Sequence, residues 1–503
     1  MHGRGAGNKD GESTPAGATA RRGDGKSCRY ALACAIIAST ISILLGYGVM
    51  SGAMLFIKED LKITEVQVEV LAGILNLCAM VGAAAGARIS DWVGRRWTIM
   101  IAAVIFFLGA LLMGLAPRYA MLLAGRCVAG VGVGCALMIA PVYAAEVSSP
   151  SSRGFLTSLP EVCISLGILL GYVANYFLAG LPLIYGWRSM LGLAAVPSLM
   201  LVAGVLKMPE SPRWLVMQGR VDEARDVLFK VSNTEEEAKL RLCEIEAAVA
   251  DAAAAGTRGE GVWKELLVRP SPAVRRILVA AVGIHFFEHA TGIEAVVLYT
   301  PRILKKAGLQ GRKPLLGATM GVGATKTCFI LVATFLLDRV GRRPLLLTSL
   351  VGMILALSGL GFGLTAAEKS GGEFPTWAVA LCIAMILTFV ASFSVGLGPI
   401  TWVYSSEIFP LRLRAQGVGL GVAVNRVMNA TVSMSFISLY EAITIGGAFF
   451  MFAGIGVVAW IFFYLMCPET KGRSLEEMEQ IFDKRRGGAG ISSGTDVEMG
   501  RKQ

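Results

Sequence analysis

The sequence predicts an all-α membrane protein: twelve transmembrane helices in two six-helix pseudo-repeated bundles, joined by a cytoplasmic helical linker. Three observations carry that expectation. Of 503 residues, 54% are hydrophobic and 17% charged, with a mean hydropathy of +0.62, more apolar surface than one water-soluble core can hide. Apolar runs that meet the ~20 residues needed to cross a bilayer recur from near Tyr30 to near Cys467, and they are continuous rather than alternating, which excludes a closed barrel. Motifs of the first half return in the same order in the second.

Residues 1–29 are Gly-rich and basic and have no apolar centre. They read as a disordered cytoplasmic tail rather than a cleavable secretory signal, with the first span acting as the insertion signal. The first bundle covers 30–207, with spans at 30–57, 66–88, 97–116, 119–142, 155–179 and 187–207. A polar stretch, 208–273, follows as the linker; its composition is helical over 235–255 and Gly256 breaks it. The second bundle covers 274–467, with spans at 274–300, 314–337, 344–366, 375–404, 413–439 and 444–467, and a cytoplasmic tail occupies 468–503.

An even number of spans puts both termini on one side. With that side cytoplasmic, the inner segments carry roughly three times as many Lys and Arg as the outer ones. The basic outer segment from Arg302 to Lys313 departs from this bias. The net charge of +11 therefore reports membrane orientation and not nucleic-acid binding. The ten cysteines, among them Cys127, Cys135 and Cys163, lie mostly inside apolar runs without C-x-x-C or zinc spacing. They read as small core residues, with no disulfide framework and no metal.

The internal repeat is the strongest organisational signal. Asp91-Trp-Val-Gly94-Arg95-Arg96 is echoed by Asp338-Arg-Val-Gly341-Arg342-Arg343, each at the cytoplasmic end of the second span of its half. Glu146 and Arg153 are echoed by Glu407 and Arg414, and Pro209-Glu-Ser-Pro-Arg213 by Pro468-Glu-Thr-Lys-Gly-Arg473. Duplicated bundles facing one another place a ligand site midway through the membrane, at their interface.

These residues, with Gly292-Ile293 and Gly398-Pro399-Ile400-Thr-Trp402, give the chain from about Ala31 to Phe482 a resemblance to the sugar porter family of the major facilitator superfamily. The stretch from Phe287 to Glu294 most resembles plant polyol and monosaccharide proton symporters. The resemblance implies alternating-access transport of a sugar or sugar alcohol at the plasma membrane, with no cofactor beyond a coupling proton. The implied partners are that small molecule and the lipid bilayer; no obligate protein partner is evident.

A hydrated, hydroxyl-rich substrate needs hydrogen-bonding side chains inside apolar spans. Glu161, Glu288, His289 and Glu294 stand where sugar porters typically carry Gln, Gln, Gln and Asn, so the resemblance assigns them to the central site. A plain ion pair with a nearby Arg is the alternative for any one of these carboxylates, and a packed core residue is the alternative for His289; His285, one turn earlier, is a weaker candidate. Trp402 offers an aromatic platform for a sugar ring and Asn425 a further polar contact. Arg426 stands where glucose facilitators show Trp and could pair with a site carboxylate. Asp91, Arg95, Arg96, Glu146 and Arg153, with Asp338, Arg342, Arg343, Glu407 and Arg414, belong to gating: paired charges that bridge helices when the cytoplasmic side is shut and part when it opens. Arg96 or Arg343 alone would be read as a topological anchor. Gly396, Gly398 and Pro399 should interrupt the tenth span.

Proton-coupled relatives usually read Gly-Tyr-Asp-x-Gly-Val in the first span. Here Gly46-Tyr47-Gly48-Val49-Met50-Ser51-Gly52-Ala53 is two residues short and lacks the Asp. Two fewer helical residues turn the preceding helix by about 200° and shorten it by about 3 Å, so a bulge or kink is expected. Arg126, the usual partner of that Asp, stands alone. A gene sequence lacking two codons, an uncoupled facilitator, and a symporter whose proton rides on Glu161 or Glu294 all fit. A non-transporting sugar sensor is the rival from another class. A membrane enzyme has no nucleophile constellation, metal spacing or phosphate loop to support it.

Overall fold

The computed structural model describes residues 26–49, 51–148, 153–232, 234–254, 266, 268–370, 375–409 and 413–471, and these form helices joined by short turns. Residues 1–25 and 472–503, which hold nearly all of the two expected tails, lie outside them. The first span starts as α1 (Lys26–Tyr47), breaks after Gly48 and resumes as α2 (Ala53–Leu61). α3 (Glu65–Val93), α4 (Arg95–Gly114), α5 (Tyr119–Val147) and α6 (Arg153–Leu178) are single spans, and α7 (Leu183–Gly192) with α8 (Ala195–Val205) makes the sixth. The linker holds α9 (Pro212–Met217), α10 (Val221–Val231) and α11 (Glu235–Ala254). In the second bundle, α12 (Pro272–Ala290) and α13 (Ile293–Lys306) share the seventh span; α14 (Arg312–Val340) and α15 (Arg342–Lys369) follow. α16 (Thr376–Val395) and α17 (Leu397–Ile408) share the tenth span, and α18 (Arg414–Ile443) and α19 (Ile445–Met466) complete the twelve.

Ten of these spans are long and apolar enough to cross a membrane by that measure alone. The other two fall short for visible reasons. The first is cut by its break, leaving a short apolar helix, Leu32–Tyr47. The eleventh, α18, buries Asn425, Arg426 and Asn429. Most spans run past the ends of their apolar stretches because polar end residues still close helical turns; α3 opens on a reciprocal cap between Thr64 and Gln67. The outer surface exposes large apolar side chains, including Phe177 at 74% and Leu355 at 67%, the belt that lipid covers.

Small residues bring helices together within each bundle, as membrane spans require in the absence of a hydrophobic driving force. A Cβ on Gly134 of α5 would sit 1.9 Å from the carbonyl oxygen of Ala79 on α3. The linker docks on the first bundle: α10 buries Ala224, Val227, Leu228 and Val231. From α11, Arg241 donates to the carbonyl of Ser148 at 2.8 Å and, more weakly, to those of Glu146 and Val147, which are the free carbonyls at the end of α5. The bundles meet along two seams, α3 against α18 and α6 against α14.

Candidate functional site

Span breaks position the central side chains. At Gly292 the backbone turns to φ 86°, and a Cβ there would lie 2.8 Å from the Phe452 ring. This left-handed glycine ends α12 and restarts the span as α13. Glu288 and His289 thus occupy the last turn of α12, and Glu294 the first turn of α13, where the free N–H groups favour a carboxylate. Glu161 follows Pro160 within α6. In the tenth span Gly396 (φ −123°, ψ −85°) separates α16 from α17, and Trp402 follows on α17.

A cavity of about 90 Å³ lies between the bundles, with space for several waters. Glu161, Glu288, His289, Glu294 and Trp402 all line it. Asn425 does not: it is fully buried behind the wall, where its amide donates to Glu288 Oε2 at 2.6 Å and its oxygen accepts from the Arg426 guanidinium, with Nε at 3.0 Å. The structure therefore makes Asn425 a support for Glu288 and Arg426 in place of the direct contact expected. Arg426 also reaches Asn76 Oδ1 of α3 at 3.4 Å. It lies 7% exposed on the cavity wall, and its hydrogen bonds go to amide oxygens rather than to a carboxylate.

The two histidines behave differently. His285 is fully buried, its ring edge-on to Trp402 with centroids 5.5 Å apart and Nδ1 3.4 Å from Asn425 Nδ2. His289 Nδ1 lies 3.5 Å from Glu294 Oε1, close enough for attraction but without hydrogen-bond alignment. Neither His289 ring nitrogen, nor His285 Nε2, has a hydrogen-bond partner among the described residues. Buried polar atoms of this kind are ordinarily satisfied by water or ligand.

Arg126 is 2% exposed and spends its charge on backbone. It donates to the carbonyls of Gly48 at 2.7 Å, Leu71 at 3.1 Å and Ala72 at 3.3 Å. The break in the first span frees the Gly48 carbonyl, so the shortened segment itself supplies a ligand for the Arg that lacks an Asp.

Lys326 escaped the sequence reading. It stands alone in the long apolar run of α14, is 8% exposed and lines the cavity, with Nζ 5.9 Å from the Phe393 ring centroid. A lone cation inside a span is itself a functional signal, and it was there to be read.

The repeated loop motifs form two matching assemblies at the linker end. Arg95 pairs with Glu146 at 3.1 Å and Asp91 at 3.2 Å, and Arg342 pairs with Glu407 at 2.8 Å. Each of these pairs lies within one bundle. The Arg96 guanidinium meets no carboxylate among the described residues: it donates to the carbonyls of Val205 and Leu206 at the end of α8, at 3.1 and 2.7 Å. Arg343 likewise donates to the carbonyl of Tyr464 on α19 at 2.8 Å. Expected as members of breakable charge pairs, both instead secure the last helix of their bundle, as an anchor would. The side chains of Arg153, Asp338 and Arg414 lie outside the described residues.

Two carboxylates in these assemblies were not foreseen. Glu210 accepts from the N–H groups of Arg95, Arg96 and Ser211 at 2.8–3.1 Å. Glu469 accepts from those of Arg342, Arg343, Thr470 and Lys471 at 2.9–3.0 Å. Each thereby caps the start of a helix, α4 or α15. Ser211 donates to Glu146 at 2.5 Å and Thr470 to Glu407 at 2.6 Å, so the pseudo-repeat extends to individual side chains.

Paired six-helix bundles with broken spans around a polar chamber at their interface define a secondary membrane transporter rather than an enzyme. The family is equally plain: residues 31–482 match the profile described as sugar (and other) transporter, and the chain belongs to that family. It is 62% identical to the Arabidopsis thaliana protein named probable polyol transporter 6, over 92% of this chain and 97% of the relative. It is 58% identical to polyol transporter 5 of the same plant, over 91% and 87%. Among solved structures it is similar to the proton:xylose symporter XylE bound to 6-bromo-6-deoxy-D-glucose, with a TM-score of 0.75 and 27% identity over 90% of this chain and 99% of that one. Inward-open XylE from E. coli matches with a TM-score of 0.74 and 27% identity, over 90% and 100%.

Proposed function

We propose that this chain carries an uncharged polyol or monosaccharide across the plasma membrane by alternating access, with both termini and the linker in the cytoplasm. The observation that carries the reading is the chamber: three carboxylates and a histidine with no hydrogen-bond partner among the described residues face one polar cavity between the two bundles. Ionised carboxylates accept paired hydroxyl hydrogens, basic side chains donate to hydroxyl oxygens, and Trp402 offers a ring face. The names of the Arabidopsis relatives favour a polyol. The excess of Lys and Arg on the linker side favours the cytoplasmic placement. Arg95 with Glu146 and Arg342 with Glu407 serve as the inner clamps of their bundles.

Proton symport fits this reading, with Glu161 or Glu294 as the carrier. Uncoupled transport is the second reading, and one set of contacts favours it: among the described residues the Arg126 guanidinium hydrogen-bonds to backbone carbonyls and to no carboxylate. Uptake of labelled sorbitol and glucose into proteoliposomes, followed beside internal pH, tests both. Coupled transport gives a substrate-driven pH change that Glu161→Gln or Glu294→Gln abolishes. Uptake without a pH change selects the facilitator, and binding without uptake selects the sensor.

A further inference from the structure

The chamber lining holds three acidic side chains, Glu161, Glu288 and Glu294, and three basic ones, Arg126, Lys326 and Arg426. The two arginines are engaged elsewhere: Arg126 with three backbone carbonyls, Arg426 with the oxygens of Asn425 and Asn76. Lys326 is placed differently. Its neighbour Thr327 donates to the carbonyl of Ser165 at 3.1 Å, and Ser165 lies one turn beyond Glu161 on α6. That contact pins the Lys326 turn of the second bundle beside the Glu161 turn of the first. The charged and titratable groups that line the chamber with Lys326 are Glu161 from α6, Glu288 and His289 from α12, Glu294 from α13, Arg426 from α18 and Arg126 from α5.

We propose that Lys326 is a specificity-determining residue: it is the counter-charge, supplied across the seam, that leaves Glu161 and Glu294 free to hold the hydroxyl groups of an uncharged substrate. Nearly buried charges are tolerated only when balanced. Without Lys326 the chamber carries a surplus negative charge, and binding an uncharged ligand requires an added proton in its place. The assignment rests on the polyol or sugar reading of the same chamber.

The test is equilibrium binding of labelled sorbitol and glucose to the purified full-length chain, with Lys326→Met, Lys326→Arg and Lys326→Met/Glu161→Gln compared across pH. Lys326→Met should bind about ten- to a hundredfold more weakly than wild type at about pH 7.5, and the deficit should shrink to about threefold at about pH 5.5, where a proton supplies the missing charge. Lys326→Arg should stay within about threefold at both values, and adding Glu161→Gln to Lys326→Met should restore most of the loss at the higher pH. A deficit equal at both pH values and unrelieved by Glu161→Gln overturns the proposal, as does no deficit at all. If Lys326→Met alone does not fold, the double variant decides: binding more than about tenfold weaker than that of Glu161→Gln overturns it. Wild-type protein that binds neither compound sinks the polyol reading instead.

Discussion

Glu210 and Glu469 occupy matching positions and are held by matching donors, yet their surroundings push them in opposite directions. Burial dominates at Glu210 and lifts its carboxyl above the usual range, against the pull of the backbone N–H groups and Arg95. At Glu469 burial also pushes upward, but four backbone N–H groups together outweigh it and leave the carboxyl below its usual range. A depressed folded-state value means that ionised Glu469 contributes stability above the unfolded-state range, lost as pH falls through the depressed value. A raised value means the reverse for Glu210: its contribution is full below the unfolded-state range and vanishes as pH rises through the raised value. At neutral pH, Glu469→Gln should therefore lower the melting midpoint in detergent more than Glu210→Gln; an equal or reversed order would show that the caps are equivalent. The glycine beside Glu210 adds a sharper case. Gly94 has φ 105°, and a Cβ there would lie 2.5 Å from Glu210 Oε2. Gly94→Ala should cost about 1–3 kcal/mol of stability, read as a clear drop in that midpoint.

Single residues were legible in the sequence to the extent that their chemistry clashes with an apolar run. Glu161, Glu288 and Glu294 stood out for that reason, and Lys326 met the same criterion. Asn425 could be placed on its span but not behind the cavity wall, because side-chain depth depends on how α18 rotates against α12. The caps of Glu210 and Glu469 were hidden for another reason: their partners lie 115 and 127 positions away in sequence, and nothing local marks a glutamate that folds back on the start of a distant helix.

Among the elements, the broken spans carry the function, and the sequence announced them through Gly292, Gly396 and the shortened first span. The expected kink in that span is a full interruption between α1 and α2. Its physical consequence is the exposed end of α1, whose Gly48 carbonyl Arg126 captures. That guanidinium also ties in α3 through Leu71 and Ala72, so one side chain joins three spans. Arg126→Leu would strand the Gly48 carbonyl in a nearly dry setting, at about 1–3 kcal/mol, whereas the Leu71 and Ala72 carbonyls, inside α3, keep their helical N–H partners and lose only the tie to α5. We expect a marked loss of thermal stability with membrane insertion intact, and Arg126→Lys should recover part of it. A leucine variant as stable as the wild type would mean that the break holds itself.

For the molecule as a whole, the basic segment that departs from the charge bias has a structural role. Arg302 pairs with Glu65 at 2.5 Å, Arg312 pairs with Glu59 at 2.6 Å and lies 5.0 Å above the Phe56 ring, and Ser438 donates through its N–H and hydroxyl to Glu69 at 2.8 and 2.6 Å. Lys58 joins Glu65 as well. Each contact with Arg302, Arg312 or Ser438 crosses between the bundles on the side opposite the linker. The bridges continue inward through Arg426 with Asn76 and Thr327 with Ser165, so this end of the seam is latched shut beyond the chamber. Arg302 and Arg312 are therefore held in place by carboxylates of the other bundle, whereas topology bias speaks only of where unpaired cations settle. Alternating access requires these pairs to break, so weakening them should shift the population toward the state open on that side. A partly exposed pair contributes about 1 kcal/mol, equivalent to about a fivefold shift. Arg302→Gln in a cysteine-free background carrying Val297→Cys, on the chamber wall, should speed labelling by a membrane-impermeant maleimide from the side opposite the linker by about that factor. Raising the salt concentration should narrow the gap between variant and parent, because screening weakens the parent's latch as well. Unchanged labelling at low salt would mean that the seam is held by helix packing alone and that the basic segment has no part in the cycle.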